Sequence, residues 1–181
     1  SKGNVYISIR VDANRADSRI YVSSDHGATW TPWGLPDIGF SLGPSDARPE
    51  IYDLRDDSKG QMWLCTYYGG TYRKQDGTWK SLAPLEGKYT YAMSIDPNDH
   101  VWVPNFDTRE LYEILPDETI ITHDSTTIAG LKYTINDIES DCNGNIWCAT
   151  TGGGLVVLRP DGSYGQYNMA TSSVKIPQDN F

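Results

Sequence analysis

The sequence predicts an all-β chain built from about four short-stranded antiparallel sheets, and three observations carry that prediction. First, Trp63, Trp102 and Trp147 lie 39 and 45 residues apart, and an aspartate stands six positions before each: Asp57, Asp96 and Asp141. Second, the segments between each pair read as tight turns, DSKGQMW, DPNDHVW and DCNGNIW. Third, every tryptophan run is followed by a small or polar break: YYGG at 67–70, NFDTR at 105–109 and TTGGG at 150–154. A further strand-like run and a second turn come next, at Gln75-Asp76-Gly77, Pro116-Asp117-Glu118 and Pro160-Asp161-Gly162. A recurring strand, turn, strand, loop, strand, turn, strand is the unit of a β-propeller blade.

Taken in order, the first repeat is incomplete. Asn4–Val11, Arg19–Ser24 and Thr29–Trp33 read as the second, third and fourth strands of a blade whose innermost strand is missing. The blades fall near residues 4–40, 48–85, 89–125 and 133–170, with a tail at 171–181. In the last, the strands are expected at Ile135–Glu139, Asn145–Thr150, Leu155–Arg159 and Ser163–Tyr167. Such a unit cannot bury both faces alone and must stack on its neighbours. No long segment shows a helical period, so helix content is expected near zero. The ends allow a closed four-bladed ring or an arc of a larger ring. We favour the arc, completed by further blades or domains of the same parent protein.

Composition sets the outer bounds. Hydrophobic residues make up 38% and aromatics 12%, with twelve Tyr and six Trp, which suits a folded globular chain. A net charge of −9 repels phosphate, so neither nucleic acid nor an anionic membrane is an expected partner. No apolar run is long enough for membrane insertion. The start at Ser1 suits both a processed secreted protein and a piece of a longer chain. Three cysteines at irregular spacing give no disulfide framework, and without CxxC there is no zinc signature. Cys65 and Cys148, close to Trp in strand-like runs, are expected to be buried as small apolar residues.

One turn has a fuller pattern. Ser23-Ser24-Asp25-His26-Gly27-Ala28-Thr29-Trp30 satisfies S-x-D-x-G-x-T-W. The Asp carboxylate can accept backbone N–H groups across the turn, Gly supplies positive φ, and the Trp is expected to pack into the blades. The segment resembles the Asp-box of sialidases and other BNR-repeat propellers, where it joins a blade's third and fourth strands. Ser23, Asp25, Gly27, Thr29 and Trp30 are therefore read as structural. The other repeats, with D-x-x-G-x-I-W and T-x-G-G-G-L at Asp141–Leu155, resemble two-component regulator propellers. That resemblance covers about 50–170 and is weakest at 96–109, where Asp99 replaces Gly. It implies a periplasmic or extracellular sensor part, in bacteria. The third repeat is also similar to streptogramin-lyase propellers, whose catalytic His and Glu do not map onto this chain.

The remaining constellations point to neither catalysis nor a cofactor. Asp141-Cys142-Asn143-Gly144-Asn145 starts like a calcium loop, but Gly152 stands where the bidentate Glu belongs. Arginines are scattered, and Ala47-Arg48-Pro49 follows the Asp-box-like turn where a sialidase arginine would precede it. His123-Asp124-Ser125 are adjacent in an extended run and point apart, which excludes a triad. Gly152–Gly154 precedes no helix and makes no phosphate loop. The richer segments lie in the loops between second and third strands and in the links between blades, all at one end of the sheets. Tyr67, Tyr68, Asn105, Phe106 and Arg109 are the expected ligand-binding residues there, and their aromatic rings beside polar groups suit a glycan or a peptide. The expected function is noncatalytic recognition outside the cytoplasm. The alternatives are a propeller enzyme of glycoside hydrolase or lyase type and a protein-docking scaffold.

Overall fold

The three repeats that follow the first each turn on an aspartate that organises the first turn, and their sheets follow from that. A computed structural model of the chain describes residues 4–10, 18–33, 51–67 and 69–170. Strands β1 (Val5–Arg10), β2 (Ser18–Ser23) and β3 (Thr31–Trp33) form a three-stranded sheet. Strands β4 (Ile51–Asp56), β5 (Met62–Thr66), β6 (Gly70–Gln75) and β7 (Thr78–Ser81) form the second sheet. The third contains β8 (Ser94–Ile95), β9 (Val101–Pro104), β10 (Leu111–Ile114) and β11 (Ile120–His123). The fourth contains β12 (Ile135–Ser140), β13 (Ile146–Thr150), β14 (Gly154–Leu158) and β15 (Tyr164–Tyr167).

Every sheet is an antiparallel meander in chain order, as the repeat predicts, and the first has three strands among the described residues. The strands of the last repeat fall within a residue or so of their expected bounds. Among the described residues helix is confined to two 3-10 segments, Ala83–Leu85 and Ala129–Lys132. Among the described residues no helix is long and apolar enough to cross a membrane. The expected tail at 171–181, and the links at 12–17 and 34–50 with Arg48, lie outside the described residues.

The six-residue spacing has a direct physical cause. Asp57 Oδ1 accepts backbone N–H bonds from Lys59 and Gln61 at 3.0 and 2.8 Å, and its Oδ2 accepts the Trp63 indole N–H at 3.3 Å. Asp96 does the same for Asn98, His100 and Trp102 at 2.8, 3.0 and 3.3 Å. Asp141 does so for Asn143, Asn145 and Trp147 at 2.9, 3.0 and 3.1 Å. One carboxylate thus satisfies two turn amides and the only polar side-chain atom of the tryptophan that stands second in β5, β9 or β13. The fourth turn residue has positive φ in each case, 76° at Gly60, 63° at Asp99 and 79° at Gly144. Asp tolerates that conformation better than most L residues, which is how the third repeat survives without its glycine.

The chain divides into two compact units, Ser1–Tyr91 and Ala92–Phe181. In the first, Ile20, Ile51, Met62, Leu64, Tyr72 and Trp79 form a buried cluster that joins the first two sheets, with Tyr6, Trp33 and Leu54 packed on it. In the second, Val101, Leu111, Ile114, Ile135, Ile138, Ile146 and Val156 are fully buried. There the Ser140 backbone N–H bonds Ser94 Oγ at 2.8 Å, and Ser140 Oγ donates to the Ile95 carbonyl at 2.7 Å, tying β12 to β8. Cys65 and Cys148 are buried, as expected of small apolar residues.

Candidate functional site

In each four-stranded meander the first and third turns lie at one end of the sheet, the turn end. The connection between the second and third strands, and the links that precede the first strand and follow the fourth, lie at the other, the loop end. At the loop end of the second sheet four tyrosines gather among the described residues. Tyr67 follows β5, and its ring lies 5.8 Å from Tyr52 and 5.2 Å from Tyr89, the latter edge-on at 86°. Tyr91 lies 6.1 Å from Tyr52. Such tilted and edge-to-face contacts suit aromatic quadrupoles. Burial, followed by the neighbouring Tyr67 and Tyr52, pushes the Tyr91 hydroxyl up to about 12. Tyr52 remains 47% exposed at the edge of the group.

A β-bulge produces this exposure. Ile51 pairs with Thr66 and Asp53 with Cys65, so Tyr52 is the extra residue. A bulge bends its strand and re-aims a side chain. The fourth sheet repeats the device: the register shifts between Ile135 and Asp137, and Asn136 is the extra residue. Asn136 Nδ2 donates to Thr151 Oγ1 at 2.7 Å. Thr151 follows β13 as Tyr67 follows β5. Bulge residue and post-strand residue therefore meet at the loop end in both repeats, as tyrosines in one and as a polar pair in the other.

Of the residues expected to bind ligand, Tyr67 belongs to this tyrosine group and Tyr68 lies outside the described residues. Asn105, Phe106 and Arg109 share the β9–β10 connection in the other unit. Asn105 is 2% exposed, and its side chain is engaged in its own turn: Oδ1 accepts from the Asp107 backbone at 3.1 Å and Nδ2 donates to the Tyr112 hydroxyl at 3.4 Å. Phe106 is 41% exposed. Arg109, at a φ of 61°, donates from Nη1 to the Lys132 carbonyl at 3.1 Å, which joins this loop to the link before β12. Tyr52, Tyr89 and Tyr91 were not singled out from the sequence. Their only signal there is the density of tyrosine in the links around β4 and β8.

The Asp25 turn stands between β2 and β3. Asp25 Oδ1 accepts from Ser23 Oγ at 2.7 Å and from the Thr29 backbone at 2.8 Å, and its Oδ2 accepts from Thr29 Oγ1 at 2.5 Å. Ser23 Oγ accepts from the Gly27 backbone at 2.8 Å, and Gly27 has a φ of 90°. The Thr29 hydroxyl, its backbone N–H and Ser23 hold the Asp25 carboxyl down at about 2. Trp30 departs from expectation. It is 38% exposed and borders Gly27 in the same turn, without entering the interior. Trp33 takes the packing role, 5.5 Å from the Tyr6 ring and 6.1 Å from Trp79, with Lys74 Nζ 3.4 Å from its ring centre. Trp30 precedes the short edge strand β3, which places it beyond the sheet that would cover it. Among the described residues no group of three or more His, Cys, Asp or Glu side chains has the arrangement of a metal site.

This architecture is that of propeller blades, and solved structures agree. Virginiamycin B lyase from Staphylococcus aureus superposes with a TM-score of 0.67 at 18% identity, over 98% of this chain and 54% of the lyase. The extracellular domain of BT4673 from B. thetaiotaomicron, ascribed to a one-component system, gives 0.69 at 15% identity, over 99% of this chain and 23% of that one. YCF48 from Cyanidioschyzon merolae gives 0.59 at 18%, over 87% of this chain and 55% of its own. The chain thus spans about half of the lyase and under a quarter of the BT4673 domain. At these identities the likeness establishes the β-propeller fold. No protein-family profile matches the chain, and no curated protein does.

Proposed function

We propose that the chain is a noncatalytic recognition module of sensor or glycan-associated type, working outside the cytoplasm, and that it takes its ligand at the loop end of the second sheet. The tyrosine group is the observation that carries this reading. Four rings with hydroxyls, one of them half exposed through a bulge, offer apolar faces and hydrogen bonds together. That combination suits the face of a sugar ring or an extended peptide. The Ser23–Trp30 turn, with its Asp-box-like pattern, is structural in this reading. The likeness to an extracellular domain supports the extracytoplasmic setting.

The rival reading is a propeller enzyme, favoured by the likeness to a lyase and to a luciferin-regenerating enzyme. A glycan and peptide array on the wild-type chain, repeated with Tyr52→Ala, separates them. Recognition requires a saturable hit that weakens by about 1–3 kcal/mol on loss of one anchoring ring while the melting curve stays in place. Turnover of a hit, or binding indifferent to Tyr52, defeats the proposal.

A further inference from the structure

The other end of the second unit holds a cleft that the reading above does not use. It lies between the third and fourth sheets, encloses about 240 Å³, and has two chemically different walls. One wall carries Asp96, His100, Trp102, Glu113 and His123, the other Ile128, Ile146 and Leu158. Pockets for drug-sized molecules start near about 300 Å³, so this one suits a smaller group.

The polar wall is a built arrangement. Glu113 Oε1 lies 2.9 Å from His100 Nδ1, and its Oε2 lies 2.9 Å from His123 Nε2. The His123 ring stacks on Trp102, centroids 5.4 Å apart at 23°. Three strands contribute, because Trp102 and Glu113 are paired across β9 and β10 and His123 ends β11. A carboxylate has no hydrogen to give, so each contacted ring nitrogen donates. In the neutral rings this leaves His100 Nε2 and His123 Nδ1 as acceptors. Asp96, engaged with its turn and with Trp102, adds a second negative charge.

Among the described residues no permanent cation offsets these groups within the cleft. Arg159 lines it, but its guanidinium lies elsewhere: Nη2 is 3.2 Å from where a Cβ on Gly165 would stand. Gly165 pairs with Val157, and Val157 with Trp147, on the face of the fourth sheet opposite Ile146 and Leu158. The wall that faces a ligand is therefore rich in acceptors and negative, and the wall behind it is aliphatic.

From this charge and shape we infer a second binding site, one that takes a primary alkylammonium group such as a small amine or the end of a lysine side chain. The ammonium would face Glu113 and the imidazoles, with its methylenes against Ile146 and Leu158. An ammonium offers three donors and no acceptor, which matches a wall of acceptors. The net charge of −9 draws a cation toward the protein.

The probe is n-butylammonium, with n-butanol as its neutral isostere, titrated at constant ionic strength and followed by the Trp102 indole and histidine ring signals in NMR. The site predicts saturable shifts at Trp102 and His123, and butanol weaker by roughly tenfold or more, since its hydroxyl keeps one donor but loses the ammonium's charge and its other two donors. Glu113→Gln should weaken butylammonium by a similar factor. Should that variant fail to fold, Asn98→Lys decides: residue 98 is exposed at the rim, and a cation there should cost about threefold, fading with added salt. Absent or unsaturable shifts, butanol equal to butylammonium, or Asn98→Lys binding as wild type overturns the site.

Discussion

Replacing Gly154 by alanine tests the close approach on which the blade's third strand depends. Gly154 opens β14 with a φ of 79°, and Thr150 Oγ1 donates to its carbonyl at 2.7 Å. A Cβ there would collide with the Tyr167 carbonyl and stand 3.1 Å from Asn168 Cα. The collision is with backbone, so no rotamer relieves it, and β14 and β15 must move apart. Left-handed conformation costs an L residue about 1–2 kcal/mol, and overpacking adds about 1–3 kcal/mol. The sum is about 2–5 kcal/mol, a large share of the roughly 5–15 kcal/mol that holds a domain folded. Gly162→Ala is the control, because its φ is 82° but nothing lies within 4 Å of the added carbon. It should lose only the backbone part. In urea unfolding followed by tryptophan fluorescence, the Gly154 variant should therefore melt about 1 M lower than the Gly162 variant, given slopes of about 1–3 kcal/mol per molar. Coincident midpoints would show that the contact with Tyr167 carries no weight, and the reasoning would fail.

Two further outcomes follow from the same geometry. Asp25 and Asp141 are held down at about 2, by Thr29 and by Asn145 first, against an ordinary 3.8, and Asp117, Asp124 and Asp161 are lowered by their own turn partners. A depressed carboxyl stabilises the fold above its unfolded value and stops doing so as pH falls through the folded one. Thermal midpoints should accordingly drop between about pH 4 and 2, and Asp141→Asn should flatten part of that drop; a midpoint constant to pH 2 contradicts it. Native labelling with a thiol reagent should modify Cys142 alone, since Cys65 and Cys148 are buried, and burial pushes the Cys148 thiol up to about 12. Mass spectrometry showing a second label in the folded protein would refute the packing.

What was legible in the sequence is what is local. The carboxylate of Asp57, Asp96 or Asp141 reaches its own turn and an indole six residues on, so a fixed spacing records the contact directly. The strand order follows, because short turns leave a meander few alternatives. Features set by register were not legible. The bulge that re-aims Tyr52 looks like one more residue in an alternating strand, and its partners Tyr89 and Tyr91 arrive from the link beyond β7. Trp30 precedes β3 and is at the surface, while Trp33 ends β3 opposite Ile20 and packs on Trp79, a difference that three residues of spacing do not announce. His100, Glu113 and His123 meet only once three strands are aligned, and adjacency in sequence instead drew attention to His123-Asp124-Ser125. The Asn105 amide bonds the Tyr112 hydroxyl and the Asp107 backbone within the β9–β10 loop, contacts that its place in the sequence does not record.

The recognition reading is tested most directly by mapping where an array hit touches the protein. Hydrogen exchange of the wild-type chain with and without the ligand would do so, read peptide by peptide. The account predicts new protection at the start of β4 around Tyr52, after β5 at Tyr67, and in the 86–93 link that carries Tyr89 and Tyr91. Exchange in the Asp25 turn should be unchanged. Protection confined to the Asp25 turn, or to segments away from the four tyrosines, would contradict it.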